Sequence, residues 1–236
     1  MTDQLRLPFT RATRYTDAGF LRAGSNQAAL AWLARPEDWP DGRLVLWGPE
    51  GCGKTHLLHV WAAQQAAVLF APDGPPTKPV AIDNAEQAPE RGLLHLLNAA
   101  AEAGLPVLLT ARRAPARWDI ALPDLASRLR AATAVEIRPP EDSLLRNLLA
   151  SQLAERQLRV DETVQNLLIA RLERTPAAIR DAVNRLDAAS LATSGRFTQR
   201  QAAAVLVGLD DAPGGKNQHT ATRTAAIAAI SETRMP

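Results

Sequence analysis

The segment GPEGCGKT at positions 48–55 has the residue types and the spacing of a phosphate-binding loop. It fits the pattern G-x-x-x-x-G-K-S/T and lies between a predicted strand and a predicted helix, the context that this motif requires. Gly48, Gly51 and Gly53 let the backbone turn tightly, so that its N–H groups point at phosphate oxygens. Lys54 offers a positive charge to the terminal phosphates, and Thr55 offers a hydroxyl to Mg²⁺. The segment therefore predicts a site for ADP or ATP with Mg²⁺.

Two more residues of this region, Cys52 and His56, are assigned to the same nucleotide site. Cys52 lies next to a predicted helix N-terminus, which can lower the pKa of a thiol. A small loop residue without a chemical role is the simpler interpretation of Cys52. It is the single cysteine of the chain, which excludes an intramolecular disulfide framework.

A carboxylate follows a second apolar run, PVAID at 79–83. Asp83, at the end of a strand beside the loop, is placed to hold Mg²⁺ through Thr55 and water. The next residue is Asn84, at a position where many ATPases of this shape have a second carboxylate that activates the attacking water. Since an amide does not usefully accept a proton, we predict weak intrinsic ATP hydrolysis. Glu86 is the nearby residue that could substitute for the missing acid.

Arg128 lies just before the last predicted strand. An arginine at this place can reach toward the γ-phosphate of a neighbouring subunit and stabilise the charge of the transition state. The alternative is a surface arginine that pairs with Asp124 or Glu136, and position alone favours this alternative.

The elements that must position these residues are alternating short apolar runs and helical patterns. This alternation predicts an α/β fold with a parallel sheet and helices on both faces. From position 142 to 206 the pattern is helical and no strand pattern remains, which predicts a small all-helical second domain. The predicted strands are 43–47, 67–71, 79–83, 105–110 and 133–139, and the four helices of the second domain lie within 141–158, 161–173, 175–191 and 198–206.

Composition limits the classes of partner and the cellular compartment that we expect for the protein. The net charge of +2 does not indicate a nucleic-acid-binding protein, although the sequence pI is about 9.1. The N-terminus has no apolar segment typical of a signal peptide, and no apolar run approaches the ~20 residues that span a bilayer. We therefore expect a cytoplasmic protein without a membrane partner.

Five segments resemble the bacterial replication initiator DnaA in sequence and in order: WGPEGCGKTHLLH, VAIDNAE, LLHLLNAA, LLTARRAP and LPDLASRL. The similarity is closer to the Hda-type regulatory inactivators of DnaA, which are DnaA-related AAA+ proteins, and it covers the chain up to about residue 208. The resemblance implies an AAA+ P-loop fold, with a five-stranded parallel sheet and a small helical lid. The expected division is a flexible arm at 1–24, a nucleotide-binding base at 25–139, the lid at 140–209 and a disordered tail at 210–236.

The resemblance also implies roles for individual residues. The Ser-Arg pair of LASRL matches the arginine-finger position, which reverses the interpretation of Arg128 from position alone. Residues near the adenine base would be Phe20, Leu21 and Asn26, and Thr110 would belong to the first sensor strand. QLRLPF matches the QL-x-LP-L/F segment that binds the DNA polymerase III sliding clamp in Hda-type proteins, with Gln4, Leu5, Leu7, Pro8 and Phe9 as the contact residues.

Two positions depart from the pattern of the family. Arg112 stands where the initiator has an acidic residue, and Ala177 stands at the place of the sensor arginine of the lid. Arg180 or Arg174 is the candidate replacement in the lid.

The function that the resemblance implies is negative regulation of chromosomal replication initiation. The protein would bind the DNA-loaded clamp in the nucleoid and promote hydrolysis of DnaA-bound ATP through Arg128. No sequence-specific DNA binding is expected, since no helix-turn-helix pattern follows the lid. The sequence does not decide whether the protein forms a homo-oligomer. A helicase-loading ATPase and a nucleotide-dependent, clamp-tethered scaffold are the alternatives.

Overall fold

The computed structural model describes residues 20–69 and 74–190, together with the backbone of Arg196–Phe197. The predicted clamp-binding residues Gln4, Leu5, Leu7, Pro8 and Phe9, the fourth predicted lid helix and the predicted tail lie outside the described residues. Within these ranges, no helix is both long enough and apolar enough to cross a membrane.

A five-stranded parallel sheet forms the centre of the base, as predicted. The strands are β1 (Arg43–Trp47), β2 (Val68–Leu69), β3 (Val80–Ile82), β4 (Val107–Ala111) and β5 (Thr133–Glu136). Their spatial order is β2-β3-β4-β1-β5, so that the first strand lies between the fourth and the fifth.

Helices cover both faces of this sheet and bury two separate cores. The helices are α1 (Gln27–Leu33), α2 (Lys54–Gln64), α3 (Glu90–Glu102) and α4 (Pro123–Ala131). Val45 of β1 belongs to the core beneath α3 and α4, whereas its neighbours Leu44 and Leu46 belong to the core beneath α1 and α2. Successive side chains of a strand point to opposite faces, so a strand covered on both sides must be apolar throughout. This explains the continuous run RLVLW.

A third core lies within the segment that follows β5. It is built from the apolar faces of α5 (Asp142–Glu155), α6 (Glu162–Arg171) and α7 (Pro176–Ser190). Thr175 caps α7, because its hydroxyl accepts a hydrogen bond of 3.1 Å from the amide of Ala178. The three helices agree with three of the four helices predicted for the lid.

One pair of short strands was not predicted in the lid. Arg159–Val160 (β6) pairs in parallel with Arg196–Phe197 (β7). Two residues are too few to show the alternation by which a strand is recognised in a sequence. The pair is therefore an addition to the helical pattern that the sequence indicated for this region.

Candidate nucleotide site

The phosphate-binding loop connects β1 to α2 at the carboxyl edge of the sheet. The amide of Gly48 donates to the carbonyl of Ala111 at the end of β4, with an N–O distance of 3.3 Å. A Cβ atom at position 48 would lie 2.2 Å from the carbonyl oxygen of Ile137, so only glycine fits between β4 and the chain that continues β5. The loop therefore begins at a fixed place beside the strands that carry Asp83 and Thr110.

Lys54 is held inside the loop. Its side chain is buried, and its ammonium donates hydrogen bonds of 2.8 Å to the carbonyl of Gly48 and 2.7 Å to that of Pro49. A buried charge is stable only when it is hydrogen-bonded, and the loop carbonyls supply the acceptors. The positive charge predicted for the terminal phosphates is thus located in the centre of the loop.

The thiol of Cys52 lies beside this ammonium, with an Nζ–Sγ distance of 3.6 Å. Burial raises the pKa of the Cys52 thiol, and the ammonium of Lys54 opposes this shift without overcoming it. The thiol is therefore not activated by the helix N-terminus. The simpler interpretation, a small loop residue, agrees with this environment.

Three oxygen-bearing side chains meet at the carboxyl ends of β3 and β4. The hydroxyl of Thr55 lies 3.3 and 3.2 Å from the two carboxylate oxygens of Asp83. Thr110 donates its hydroxyl to Asp83 and accepts a hydrogen bond of 3.1 Å from the amide of Asn84. A carboxylate and a hydroxyl are hard oxygen ligands that suit Mg²⁺, which usually keeps one or two protein ligands and takes the others from phosphates and water. The donor set fits this ion, with Thr55 and Asp83 as the residues that would hold it.

Asn84 follows Asp83 in a left-handed conformation, with φ 51° and ψ 50°, which asparagine tolerates better than most residues. The position expected for a second acid thus has an amide side chain and a backbone conformation that suits asparagine. Glu86, the predicted substitute, accepts a hydrogen bond of 2.8 Å from the amide of Arg112 through Oε1. The guanidinium of Arg112 in turn pairs with Glu50 of the loop at 3.2 Å. One oxygen of Glu86 is thus engaged in holding the end of β4.

The predicted adenine-side residues have different surroundings. The rings of Phe20 and His56 lie 5.2 Å apart at the start of α2. Leu21 packs against the lid core. The buried amide of Asn26 accepts from the N–H of Ala23 and donates to the carbonyl of Leu21, both at 3.0 Å. Asn26 therefore shapes the turn that carries Phe20 and Leu21, and contact of the three with a base stays a prediction.

The lid touches the loop through a residue that the sequence interpretation missed. A Cβ atom on Gly51 would lie 2.6 Å from the methyl carbon of Thr175, the residue just before α7. Arg174 pairs instead with Asp142 of α5, and Arg180 lies half-buried on α7. Local sequence identifies Thr175 as a helix cap but carries no signal for its contact with the loop.

Arg128 lies at the other edge of the sheet. It lines a cavity of about 320 Å³ together with residues around the starts of β1 and β4 and the end of α3, which are Asp41, Gly42, Arg43, Ala101, Gly104 and Leu105. The loop follows β1, and the five residues of β1 separate the two edges by about 13 Å. The Nε atom of Arg128 lies 3.3 Å from Oδ1 of Asp124, one of the two partners that the alternative interpretation names. Arg128 is thus remote from the loop of its own chain.

Comparison with known proteins identifies the fold. No family model matches the chain. Domain III of the DnaA replication initiation protein of Thermotoga maritima is similar, with a TM-score of 0.70 and 18% identity over 82% of this chain and 96% of that one. AMPPCP-bound DnaA of Aquifex aeolicus has a TM-score of 0.65 and 15% identity, over 77% of this chain and 67% of that one.

A second group of similar structures extends the same conclusion. The RuvB Holliday junction branch migration motor of Thermotoga maritima has a TM-score of 0.59 and 16% identity, over 87% of this chain and 74% of that one. Identities this low show a shared fold and nothing finer. The chain has the AAA+ P-loop NTPase fold, in an arrangement similar to that of DnaA.

Proposed function

We propose that the protein is a nucleotide-binding AAA+ regulator that inhibits the initiation of chromosomal replication. In this proposal it binds the DNA-loaded sliding clamp and promotes hydrolysis of DnaA-bound ATP by inserting Arg128 beside that nucleotide. Its own site holds ADP or ATP with Mg²⁺ and hydrolyses ATP slowly. The regulator would act where the clamp lies on replicated DNA.

The observation that carries the proposal is the separation between Arg128 and the loop of the same chain. An arginine that is one strand length away from its own phosphate site cannot serve that site without a large displacement, whereas it is available to a subunit packed against the amino edge of the sheet. An arginine supplied in trans stabilises the charge that develops during phosphoryl transfer. The fold similarity to domain III of DnaA supports an AAA+ protein as the subunit that receives it.

The composition of the nucleotide site supports a binding role. Lys54, Thr55 and Asp83 converge where phosphates and Mg²⁺ would lie. The adjacent position is Asn84, and one carboxylate oxygen of Glu86, Oε1, accepts a hydrogen bond from the backbone amide of Arg112. A site that binds without an efficient general base suits a protein whose nucleotide is a structural or switching ligand. In this scheme the acidic residues of DnaA carry out the hydrolysis.

Tethering to the clamp is the second part of the proposal, and it rests on the resemblance of QLRLPF to clamp-binding segments. Leu5, Leu7 and Phe9 would fill an apolar pocket, with Gln4 as a polar anchor and Pro8 restricting the backbone. An extended peptide loses conformational entropy on binding, so each contact should be modest and reversible. Repeated sites on a ring-shaped clamp would raise the avidity.

The proposal is tested by following single-turnover hydrolysis of ATP already bound to DnaA, in the presence of sliding clamp loaded on DNA. The chain is added as wild type, as Arg128→Ala and as Arg130→Ala. Arg130 is a matched control, because it lies on the same helix, is exposed and contacts the carbonyl of Ala126. Loss of stimulation in Arg128→Ala alone supports the proposal. Full stimulation by Arg128→Ala would favour a scaffold, and no stimulation by the wild type would point to another target such as the helicase.

A further inference from the structure

The cavity beside Arg128 contains a second arginine. Arg43, the first residue of β1, has a side chain that is only 3% exposed. Its guanidinium pairs with Asp41 at a distance of 3.7 Å, which is longer than a hydrogen bond. Arg43 and Arg128 both line this cavity. Two arginine side chains thus line the same half-open cavity at the amino edge of the sheet.

The electrostatics of Arg43 show that these groups influence each other. Burial lowers the pKa of Arg43, Asp41 raises it, the like charge of Arg128 lowers it and Asp124 raises it. An arginine keeps its proton under these conditions, so the two side chains remain cations that repel each other. Because the repulsion acts in a partly buried space, water screens it less than it would screen a surface pair.

The contact between Arg128 and Asp124 is a loose restraint. The two residues are four positions apart on α4, and the Nε of Arg128 lies 3.3 Å from Oδ1 of Asp124. The same Nε is enclosed and forms no hydrogen bond with a described residue. The side chains of Arg128 and Asp124 are 34% and 58% exposed, and ion pairs that water reaches contribute little to stability, so another anion can replace the carboxylate at a low energetic cost.

We propose that Asp124 and Arg43 are positioning residues that act on Arg128 in opposite directions. Asp124 restrains the Arg128 guanidinium against α4, and Arg43 prevents it from moving deeper into the cavity that both arginines line. When a partner subunit presents the phosphates of its nucleotide, the phosphate oxygens replace the Asp124 carboxylate. The replacement of Asp124 by phosphate rests on the proposed function, whereas the position of Arg128 in the absence of a partner is a property of the isolated protein.

The experiment measures the reactivity of Arg128 toward phenylglyoxal in the isolated protein, by peptide mapping and mass spectrometry. Reactivity is expressed relative to Arg130, which is exposed on the same helix. The variants are Asp124→Asn, Arg43→Gln and the charge-conserving Arg43→Lys. Asp142→Asn is the control, because Asp142, like Asp124, lies in the first turn of its helix and pairs with an arginine, which is Arg174. Thermal unfolding of each variant reports whether it folds.

The expected results have opposite signs. Asp124→Asn should raise the relative reactivity of Arg128 by about 1.5- to 5-fold, the range that corresponds to an exposed ion pair. Arg43→Gln should lower it, because the Arg128 guanidinium then moves deeper into the cavity, while Arg43→Lys and Asp142→Asn should leave it unchanged. A merely structural role would not move reactivity in opposite directions. Unchanged or lower reactivity in Asp124→Asn, or equal shifts in Asp124→Asn and Arg43→Gln, would overturn the inference.

The same variants separate this inference from the proposed function. In the DnaA assay, Asp124→Asn should lower the concentration needed for half-maximal stimulation, by the same factor by which it raises reactivity. If reactivity shifts as expected but the wild type does not stimulate DnaA, the positioning holds and the proposed function fails. If Arg43→Gln does not fold, the reactivity of Arg128 in Asp124→Asn decides the inference alone.

Discussion

The contact between Gly51 and Thr175 joins the lid to the phosphate-binding loop, and the substitution Gly51→Ala tests it. The new Cβ would lie 2.6 Å from the methyl carbon and 2.9 Å from the Cβ of Thr175. Both distances are shorter than real Cβ contacts, so the lid or the loop must move. Gly51 also has φ +76°, in the left-handed region that disfavours alanine. The variant therefore combines a backbone penalty with a steric one.

The two penalties are large enough to measure. A left-handed conformation costs a residue with a Cβ about 1–2 kcal/mol. Overpacking by one carbon costs about 1–3 kcal/mol. Their sum predicts that Gly51→Ala lowers the free energy of unfolding by about 2–5 kcal/mol. In a chain of this length each kcal/mol shifts the melting temperature by about 2–4 °C, so a decrease of roughly 10 °C is expected.

The assay is thermal and denaturant unfolding, with two controls from the same chain. Gly92→Ala makes the same chemical change within α3, where nothing lies within 4 Å of the added carbon, and should stabilise the protein by about 0.5–1 kcal/mol. Thr175→Ser removes the methyl group but keeps the hydroxyl that caps α7. In the double variant it should recover part of the steric penalty, because the Cβ of residue 175 still lies 2.9 Å from the added carbon, and it should leave the backbone penalty. Wild-type stability of Gly51→Ala, or no recovery in the double variant, would refute this reasoning.

Three further predictions concern the nucleotide site and the clamp. Asn84→Asp should raise intrinsic ATP turnover by about 10²-fold, the lower end of what general-base catalysis contributes. Steady-state phosphate release measures the turnover, and unchanged turnover in both Asn84→Asp and Asn84→Glu would count against the account. Burial raises the pKa of Cys52, so alkylation of its thiol by iodoacetamide should be slow at pH 7. The ammonium of Lys54 lowers the same pKa, so Lys54→Met should shift the pH profile of the alkylation rate to higher pH, and a shift to lower pH would contradict the assignment. Leu7→Ala combined with Phe9→Ala should abolish clamp binding in surface plasmon resonance without changing nucleotide affinity, and retained binding would exclude this segment as the tether.

The parts of the structure that were predicted from sequence are those fixed by local pattern. GPEGCGKT specifies a loop between a strand and a helix, and the apolar run before Asp83 specifies a buried strand with a carboxylate at its end. Parallel strands bring their carboxyl ends to one edge, so the approach of Thr55, Asp83 and Thr110 follows from topology. The five strands and the first three lid helices were predicted for the same reason.

The parts that were not predicted depend on packing between distant segments. Thr175 reaches Gly51 only because the turn between α6 and α7 lies over the loop, and no local pattern encodes this. In the sequence, Arg43 is only the polar first residue of a predicted strand. That it is buried, and lines the same cavity as Arg128, depends on how α4 packs near β1. The engagement of Glu86 by the amide of Arg112 depends likewise on the position of β4.

The most direct test of the account is hydrolysis of DnaA-bound ATP with clamp loaded on DNA, comparing the wild type with Arg128→Ala. The account predicts clamp-dependent hydrolysis that Arg128→Ala reduces by about 10³–10⁵-fold, the contribution of an arginine finger, while binding of nucleotide to the variant itself is unchanged. Equal stimulation by the wild type and by Arg128→Ala would contradict the central claim that Arg128 acts on the nucleotide of a neighbouring subunit.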